Sequence, residues 1–151
     1  MSVQLEVKGF DRLVKQIERY PAISEKHVGT AINRALVRIL GQEKQQAPVG
    51  VTGNLRDNWR IDMGRFTGAL RSMAPYSMAV HQGTKPHYVS GETLKAWAAR
   101  KGLNPWAVAA SIRKNGTKAN PFLKRSIEVE GENVNREFKN ALDAILKDVT
   151  S

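Results

Sequence analysis

Hydrophobic and polar positions follow two periods along the first third of the chain. Residues 3–7 alternate between apolar and polar, which predicts a short strand. Asp11 can cap a short helix that follows, and Pro21 ends that helix because proline has no amide hydrogen to donate. The next pattern predicts a long amphipathic helix over about 24–46, with Ser24 as its N-cap. The apolar stripe of this helix comprises Val28, Ile32, Ala35, Leu36, Ile39 and Leu40.

A change to strand periodicity follows the long helix. Pro48 ends the helix, and the proline and glycines of residues 48–55 indicate an irregular loop. Apolar and polar residues then alternate over 59–63 and again over 66–72, as in half-buried strands. A third strand is predicted over 76–80. Since the connections are too short for helical crossovers, we expect the three strands to form an antiparallel meander.

Two short helices are predicted next, in a segment rich in lysine and arginine. The first covers about 92–101, and Gly102 is placed to end it in the left-handed conformation. Asn104 can cap the second helix with Pro105 at its first position, and Gly116 ends that helix. The first helix carries Leu94, Trp97 and Ala98, and the second carries Trp106, Ala109 and Ile112.

The last segment, about 126–149, has the pattern of a C-terminal amphipathic helix. Gly131 is a position at which this helix can break, because glycine weakens a helix interior by about 1 kcal/mol relative to alanine. The apolar positions of the helix are Ile127, Val134, Phe138, Leu142, Ile145 and Val149. The length of 151 residues suits a single domain, and no internal repeat occurs.

The charge of the chain is high and unevenly distributed. Its formal net charge is +10 and its isoelectric point is about 10.2. Residues 85–125 contribute +8, with Glu92 as their single acid, whereas residues 126–151 contribute −3. A cationic segment next to an anionic one favours an oriented assembly or a basic patch that faces nucleic acid. A basic surface without a specific ligand is the alternative.

The sequence offers little catalytic chemistry. The chain contains no cysteine, which excludes disulfides, thiolate metal sites and a cysteine nucleophile. His81 and His87 are close in sequence, but no nearby carboxylate completes a zinc site with them. Neither a phosphate-binding glycine loop nor a Gly-x-Ser-x-Gly motif occurs. We therefore expect no enzyme, cofactor or metal; a small hydrolase or nuclease that uses the two histidines is the alternative.

Tyr88, Trp97 and Trp106 lie among the lysines and arginines of the basic segment. Basic groups interleaved with aromatic rings can bind nucleic acid by charge and stacking, which makes a non-catalytic nucleic-acid-binding module the second hypothesis. The other interpretation, which the spacing of apolar neighbours favours, is that both tryptophans are core anchors. The residues expected to face DNA or an acidic partner are Lys95, Arg100, Lys101, Arg113, Lys114, Lys118, Lys124 and Arg125.

Three sequence patches together carry a family resemblance. The first patch is residues 47–56, with Ala-Pro-Val and Thr-Gly-Asn-Leu-Arg; the second is residues 76–87, ending in Gly-Thr-Lys-Pro-His; the third is residues 120–123, Asn-Pro-Phe-Leu. In this order they resemble the tail-completion, or head–tail joining, proteins of long-tailed phages, also described as minor tail or virion morphogenesis proteins. Members often have aspartate where this chain has Gly50-Val51. Residues 88–118 resemble a helical insertion that only some members have.

The resemblance spans about residues 10–146 and implies an α+β fold. In that fold a small antiparallel sheet packs on a long amphipathic helix, with a short helical insertion and a C-terminal helix. The implied function is that of a structural virion protein, made in the host cytoplasm, that completes the tail and joins it to the head at the neck.

The same resemblance implies partners and contact residues. We expect a homo-oligomeric ring, hexameric by resemblance, between the head connector and the tail terminator or tail tube, with non-specific contact to packaged DNA. No membrane contact is expected, because no apolar run approaches the roughly 20 residues of a membrane helix. The residues expected to contact other subunits or partners are Pro48, Thr52, Gly53, Leu55, Arg56, Gly83, Thr84, Lys85, Pro86, His87, Pro121 and Phe122.

Overall fold

The computed structural model describes residues 2–3 and 11–151 of the chain. The elements in chain order are β1 (Ser2–Val3), α1 (Asp11–Arg19), α2 (Pro21–Gln46), α3 (Asn54–Asp57), β2 (Trp59–Met63), β3 (Gly68–Ser72), α4 (Ser77–Gln82), α5 (Gly91–Lys101), α6 (Pro105–Asn115) and α7 (Phe122–Thr150). The predicted α+β fold class is confirmed by the long helices and the small antiparallel sheet. Of the strand predicted over residues 3–7, residues 4–7 lie outside the described residues.

The hydrophobic core forms mainly where α2 packs against α7. Buried side chains recur at three- and four-residue spacing on both helices, as expected for two amphipathic faces in contact. Leu36, Ile39 and Ile145 are almost completely buried, and each such side chain contributes about 1.5–3 kcal/mol through removal from water. The apolar stripe predicted for the long helix is confirmed, although Leu40 at its edge is only half-buried.

Ion pairs along the rim show that α2 and α7 run antiparallel. His27 Nε2 lies 2.7 Å from Asp148 Oδ2, near the start of α2 and the end of α7. Closer to the middle, Glu137 receives a hydrogen bond from Arg38 Nε at 3.0 Å and lies 3.7 Å from Arg34 Nη1. The hydrogen bond from His27 lowers the pKa of Asp148. Each of these pairs has one exposed member, so water screens the pairs and their contribution to stability is small. The pairs mark the register of the helices, while the buried stripe stabilises the packing.

The predicted N-cap of the long helix is wrong, because α2 begins at Pro21 and not at Ser24. Proline suits the first position of a helix, where no backbone hydrogen bond is required of its nitrogen. The same residue therefore ends α1 and begins α2. Ser24 lies inside the helix, fully buried, and its hydroxyl donates a hydrogen bond to the carbonyl of Gln16 in α1 at 3.2 Å.

The sheet contains β2 and β3 as predicted, but the third predicted strand is wrong. β2 and β3 are antiparallel neighbours with Ile61 opposite Leu70, and β1 pairs with the other side of β3. Residues 76–80 instead enter the short helix α4. Ser77 is buried and Val80 is half-buried three residues later, which is helical spacing. Three alternating apolar residues are too few to distinguish a strand from a helical turn.

α5 and α6 pack against each other as a helical hairpin, residues 91–115, which contributes nothing to the main core cluster. Its predicted ends are confirmed. Gly102 adopts the left-handed conformation with φ of 66°, and Gly116 ends α6 with φ of 72°. The side chain of Asn104 caps α6 by accepting hydrogen bonds from two backbone amides, at 2.9 and 3.2 Å.

The interpretation of both tryptophans as core anchors is wrong. Trp97 is half-buried within the hairpin, and Trp106 is 57% exposed. The buried residues of the hairpin are small, among them Ala98 and Ala109. The ring of Trp106 lies against Gly91, where a Cβ atom would overlap it, so the indole covers the start of α5 rather than entering a core.

The C-terminal helix is longer than predicted and has no break. α7 begins at Phe122 rather than near residue 126, and it continues through Gly131 to Thr150. Ser126 and Val134, on either side of the glycine, are both buried. Packing on both sides therefore offsets the roughly 1 kcal/mol that glycine costs in a helix interior.

Glu43 is a buried acid at the C-terminal end of the α2 stripe. Its exposure is 0%, and neither carboxyl oxygen has a hydrogen-bond partner among the described residues. The nearby indole N–H of Trp59 donates instead to the carbonyl of Leu55, at 2.9 Å. Burial raises the pKa of Glu43 to about 7, because the charged form is costly away from water.

We predict that Glu43→Gln stabilises the protein at alkaline pH. The pKa of Glu43 rises from its ordinary value of 4.5 to about 7 on folding, so the stability from the protonated carboxyl is complete below pH 4.5 and is lost as the pH rises through about 7. Glutamine stays neutral at every pH. The free energy of unfolding of the Glu43→Gln variant should therefore exceed that of the parent protein by up to about 3 kcal/mol near pH 8.5.

Denaturant unfolding at about pH 4.5 and about pH 8.5 measures this difference. The exposed α7 residue Glu132 provides the control, and Glu132→Gln should leave the pH dependence of the parent nearly unchanged. An equally steep loss of stability with pH in Glu43→Gln and in the parent would contradict the assignment.

Candidate functional site

The three patches meet at one end of the α2–α7 pair. The first patch follows the last residue of α2, and the third patch contains the first residue of α7. Since the two helices are antiparallel, these ends lie side by side. The second patch contacts the third patch through a backbone hydrogen bond from Asn120 N to the carbonyl of Val80, at 3.0 Å. Segments distant in sequence are thus assembled into one loop cluster.

Phe122 is the buried ring on which this cluster is built. The ring has 0% exposure and meets Trp59 of β2 edge to face, with centroids 6.4 Å apart and planes at 80°. It meets His81 of α4 in the same manner, at 5.5 Å and 85°. Edge-to-face aromatic pairs contribute about 0.5–1.5 kcal/mol beyond simple burial. One side chain of the third patch therefore packs against both the first residue of β2 and the second patch.

Arg125 provides the polar connection within the cluster. Its Nε donates to Gln46 Oε1 at 3.3 Å, and its Nη2 donates to Asn120 Oδ1 at 2.6 Å. Gln46 is the last residue of α2, so this guanidinium joins the entrance of the first patch to the third patch. Hydrogen bonds to a charged group typically contribute about 1.5–3 kcal/mol. The guanidinium of Arg125 thus binds two groups of its own chain. The sequence had predicted that it faces DNA or an acidic partner.

The first patch is held from the side by the helical hairpin. Arg100 of α5 donates through Nη1 to the carbonyls of Gly50 and Val51, at 3.1 and 2.9 Å. The side chains of Val49 and Val51 remain 50% and 43% exposed. The loop is therefore fixed through its backbone, while its apolar side chains face outward.

The second patch is fixed by an antiparallel bridge between Thr84 and Thr117. Their backbone amides and carbonyls exchange two hydrogen bonds of 3.1 Å, and their hydroxyls lie 2.9 Å apart. Gly83 and Gly116 directly precede the two bridge residues, and their φ angles are 75° and 72°. This bridge closes the segment that contains the helical hairpin and connects it to the loop cluster.

Burial divides the residues predicted to contact partners into three groups. Those exposed are Thr52, Lys85, Pro86 and His87; those half-buried are Pro48, Arg56, Gly83, Thr84 and Pro121; those buried are Gly53, Leu55 and Phe122. The buried residues support the loops from beneath and have almost no surface for a partner to contact. Direct contact by this cluster must therefore come from the exposed residues and the adjacent valines.

The two histidines have different surroundings. His81 is half-buried against Phe122, and its Nδ1 has no hydrogen-bond partner among the described residues. Burial, and then the positive charge of Arg125, lower the pKa of His81. His87 is exposed and its Nδ1 lies 2.9 Å from the carbonyl oxygen of Lys85. Within residues 11–151, no group of three or more histidines and acids is arranged to hold a metal ion.

The predicted basic residues also differ in their contacts. Lys95 pairs with Glu92 at 2.7 Å, and Lys124 lies 3.9 Å from Glu128. Arg100 and Arg125 make the internal contacts described above. The remaining members of the set, all exposed and without a partner in the described part of the chain, are Lys101, Arg113, Lys114 and Lys118.

Two structural residues of the site were not identified from sequence. Glu43 continues the helical spacing of Leu36 and Ile39. Its position on the apolar stripe could therefore have predicted that this acid is buried. The role of Trp59 in the cluster had no comparable signal, because it depends on a ring more than 60 residues away.

Residues 11–89, which contain α1–α4 and the first two patches, match a known protein family. That family is HK97-gp10-like, described as "Bacteriophage HK97-gp10, putative tail-component". The match covers slightly more than half of the chain. The chain belongs to the HK97-gp10-like family. No curated protein and no solved structure matches it.

Membership of the HK97-gp10-like family confirms the resemblance to phage tail proteins. The protein is accordingly a structural component of a phage tail, located in the virion and associated with other virion proteins. The matched residues end before α5, so the helical hairpin and α7 extend beyond the part that the family defines. Among the helices of the described residues, none combines the length and hydropathy needed to cross a membrane.

We predict that Gly116→Ala separates the helical hairpin from the loop cluster. A Cβ atom at Gly116 would overlap the carbonyl oxygen of Thr84, in addition to the strain of its positive φ. Gly102→Ala is the matched control, since its φ is 66° but nothing lies within 4 Å of the added atom. The control should lose only about 1 kcal/mol of stability, and Gly116→Ala clearly more.

Amide hydrogen exchange of Thr84 and Thr117 measures the effect directly. Exchange should accelerate strongly in Gly116→Ala and remain near the parental rate in Gly102→Ala. Similar protection of both amides in the two variants would mean that the bridge does not hold the hairpin.

Proposed function

We propose that this HK97-gp10-like protein completes the tail and joins it to the head at the neck of a tailed double-stranded DNA phage. It acts by binding and carries out no catalysis. The observation that supports this most is the convergence of the three patches at one end of the α2–α7 pair. Buried Phe122 and half-buried Arg125 hold these loops, while the exposed residues of the loops point outward. This arrangement suits a docking surface.

The first patch is the strongest candidate for the contact itself. Val49 and Val51 expose about half of their surface on a loop whose backbone is already held by Arg100. A loop that is ordered before binding loses less conformational entropy when a partner docks. The exposed valines then supply apolar area to the contact, and the neighbouring Thr52 supplies polar groups at its edge.

We also propose that copies of the chain form a closed ring, hexameric by resemblance, between the head connector and the tail terminator or tail tube. The loop cluster and the opposite end of the α2–α7 pair are unlike surfaces. Contacts between unlike surfaces close into rings when the rotation per subunit permits it. Such a ring presents the same loops to each neighbouring component of the neck.

Particle assembly with surface variants tests the proposed function. Val49→Glu combined with Val51→Glu places two charges on the first patch, and Val37→Glu combined with Val129→Glu places two on α2 and α7, where these valines are 52% and 55% exposed. We expect both proteins to fold. We expect the first pair to yield separate heads and tails in electron micrographs, and the second pair to yield joined particles.

Two controls make this assay decisive. Unfolding curves of both double variants must match that of the parent within about 1 kcal/mol, since surface substitutions usually change stability little. Particles made without any copy of the protein should also fail to join. Stable head–tail joining in its absence would refute the proposed function.

A further inference from the structure

Two lysines flank the bridge at the base of the helical hairpin. Lys85 directly follows Thr84, and Lys118 directly follows Thr117, in the antiparallel pair that closes this segment. Both lysines are exposed. The backbone hydrogen bonds of the bridge hold the two positions close together, although they are more than 30 residues apart in sequence.

The last turn of α6 adds two more cations at the same place. Arg113 and Lys114 are exposed there, and the preceding carbonyl, that of Ile112, accepts a hydrogen bond from His87 N at 3.5 Å. The end of α6 is thus attached to the second patch. We call these four residues, Lys85, Arg113, Lys114 and Lys118, the cationic collar.

The collar has no counter-charge in the described part of the chain. No acid of residues 11–151 lies within ion-pair distance of any of its members. Glu92, the one acid among residues 85–125, is 2.7 Å from Lys95 Nζ. Like charges held close together repel one another, so an external polyanion stabilises this arrangement.

A second copy of the chain is a poor source of that negative charge. Three of the six acids of α7 already have an ion pair within their own chain: Glu128 with Lys124, Glu137 with Arg34 and Arg38, and Asp148 with His27. Each copy also carries a net charge of +10, so a second copy supplies no net negative charge to the collar. The charge of the collar therefore points to a partner other than this protein.

Double-stranded DNA matches the chemistry of the collar. Its backbone carries one negative charge per about 1.7 Å of helix axis, and lysine and arginine contact phosphates without reading bases. Single strands bind largely by stacking on aromatic rings. Trp106 is at the other end of α6, with its ring against Gly91. Tyr88, which is 75% exposed and follows His87, is a single ring beside the collar, whereas successive bases of a single strand stack on several rings.

We propose that the cationic collar binds double-stranded DNA through its phosphates, without sequence preference. The binding residues are then Lys85, Arg113, Lys114 and Lys118, while Arg100 and Arg125 donate hydrogen bonds to groups of their own chain. In a tail component this places a phosphate-binding site next to the loop cluster. The proposal concerns the isolated protein and does not depend on the role in head–tail joining.

Salt-dependent binding to a labelled duplex tests the proposal with two variants of equal charge. The collar variant is Lys85→Gln, Arg113→Gln, Lys114→Gln and Lys118→Gln. The control variant is Arg12→Gln, Lys15→Gln, Lys139→Gln and Lys147→Gln, which removes the same number of lysines and arginines from exposed positions on α1 and α7. Fluorescence anisotropy with a random duplex of about 30 base pairs, in about 50–200 mM NaCl, gives affinity and salt slope.

We expect the parent and the control variant to bind, with affinity that falls steeply as salt rises. The collar variant should lose at least about tenfold in affinity, and its log–log salt slope should be shallower by about 3 to 4, since each neutralised phosphate contributes about 0.9. Thermal unfolding of both variants verifies that the comparison is between folded proteins.

Four results would overturn the proposal. These are no duplex binding by the parent at low salt, equal losses in the collar and control variants, tighter binding of a single strand than of the duplex, and displacement of the duplex by polyglutamate at equal charge. The last result would assign the collar to an acidic protein surface. None of these outcomes affects head–tail joining, which the particle assay measures separately.

Discussion

The antiparallel packing of α2 on α7 is the interaction on which the rest of the structure depends. The two helices share one buried apolar interface, and contacts from His27–Asp148 at one end to Gln46–Arg125 at the other fix their register. The end of α2 and the start of α7 are thereby brought side by side. A loop cluster built from three distant segments is possible only because of this geometry.

The cluster itself combines a buried support with an exposed surface. Phe122 and Arg125 belong to α7. The loops are therefore held in place by the same pair of helices that forms the core. The helical hairpin is attached more lightly, through the Thr84–Thr117 bridge and through Arg100. A tail component that works by docking needs this combination of fixed backbone and available side chains.

The elements with strong local signals were predictable from the sequence. The stripe of α2, the β2–β3 pair and the caps at Gly102 and Asn104 each depend on neighbouring residues alone, and all are confirmed. The predictions that were wrong had weaker local signals. The three alternating apolar residues at 76–80 were compatible with the period of a strand and also with a turn of helix. Pro21, which follows α1, was compatible with both the end of one helix and the start of the next.

The candidate site was only partly predictable, for a different physical reason. The three patches were recognised in sequence, but their convergence depends on the tertiary packing of Phe122, Trp59 and His81. The charge of residues 85–125 was equally visible, yet composition does not distinguish Arg125, which joins two loops, from cations such as Lys118 that have no partner among residues 11–151. Net charge describes a segment, whereas function depends on the partners of each side chain.

The measurement that tests the central claim most directly is amide hydrogen exchange of the protein, free and within assembled tails. If the loop cluster is the docking surface, exchange should slow in the first and second patches on assembly, while the α2–α7 interface remains equally protected in both states. Unchanged exchange in both patches, with new protection confined to the outer faces of α2 and α7, would contradict this account.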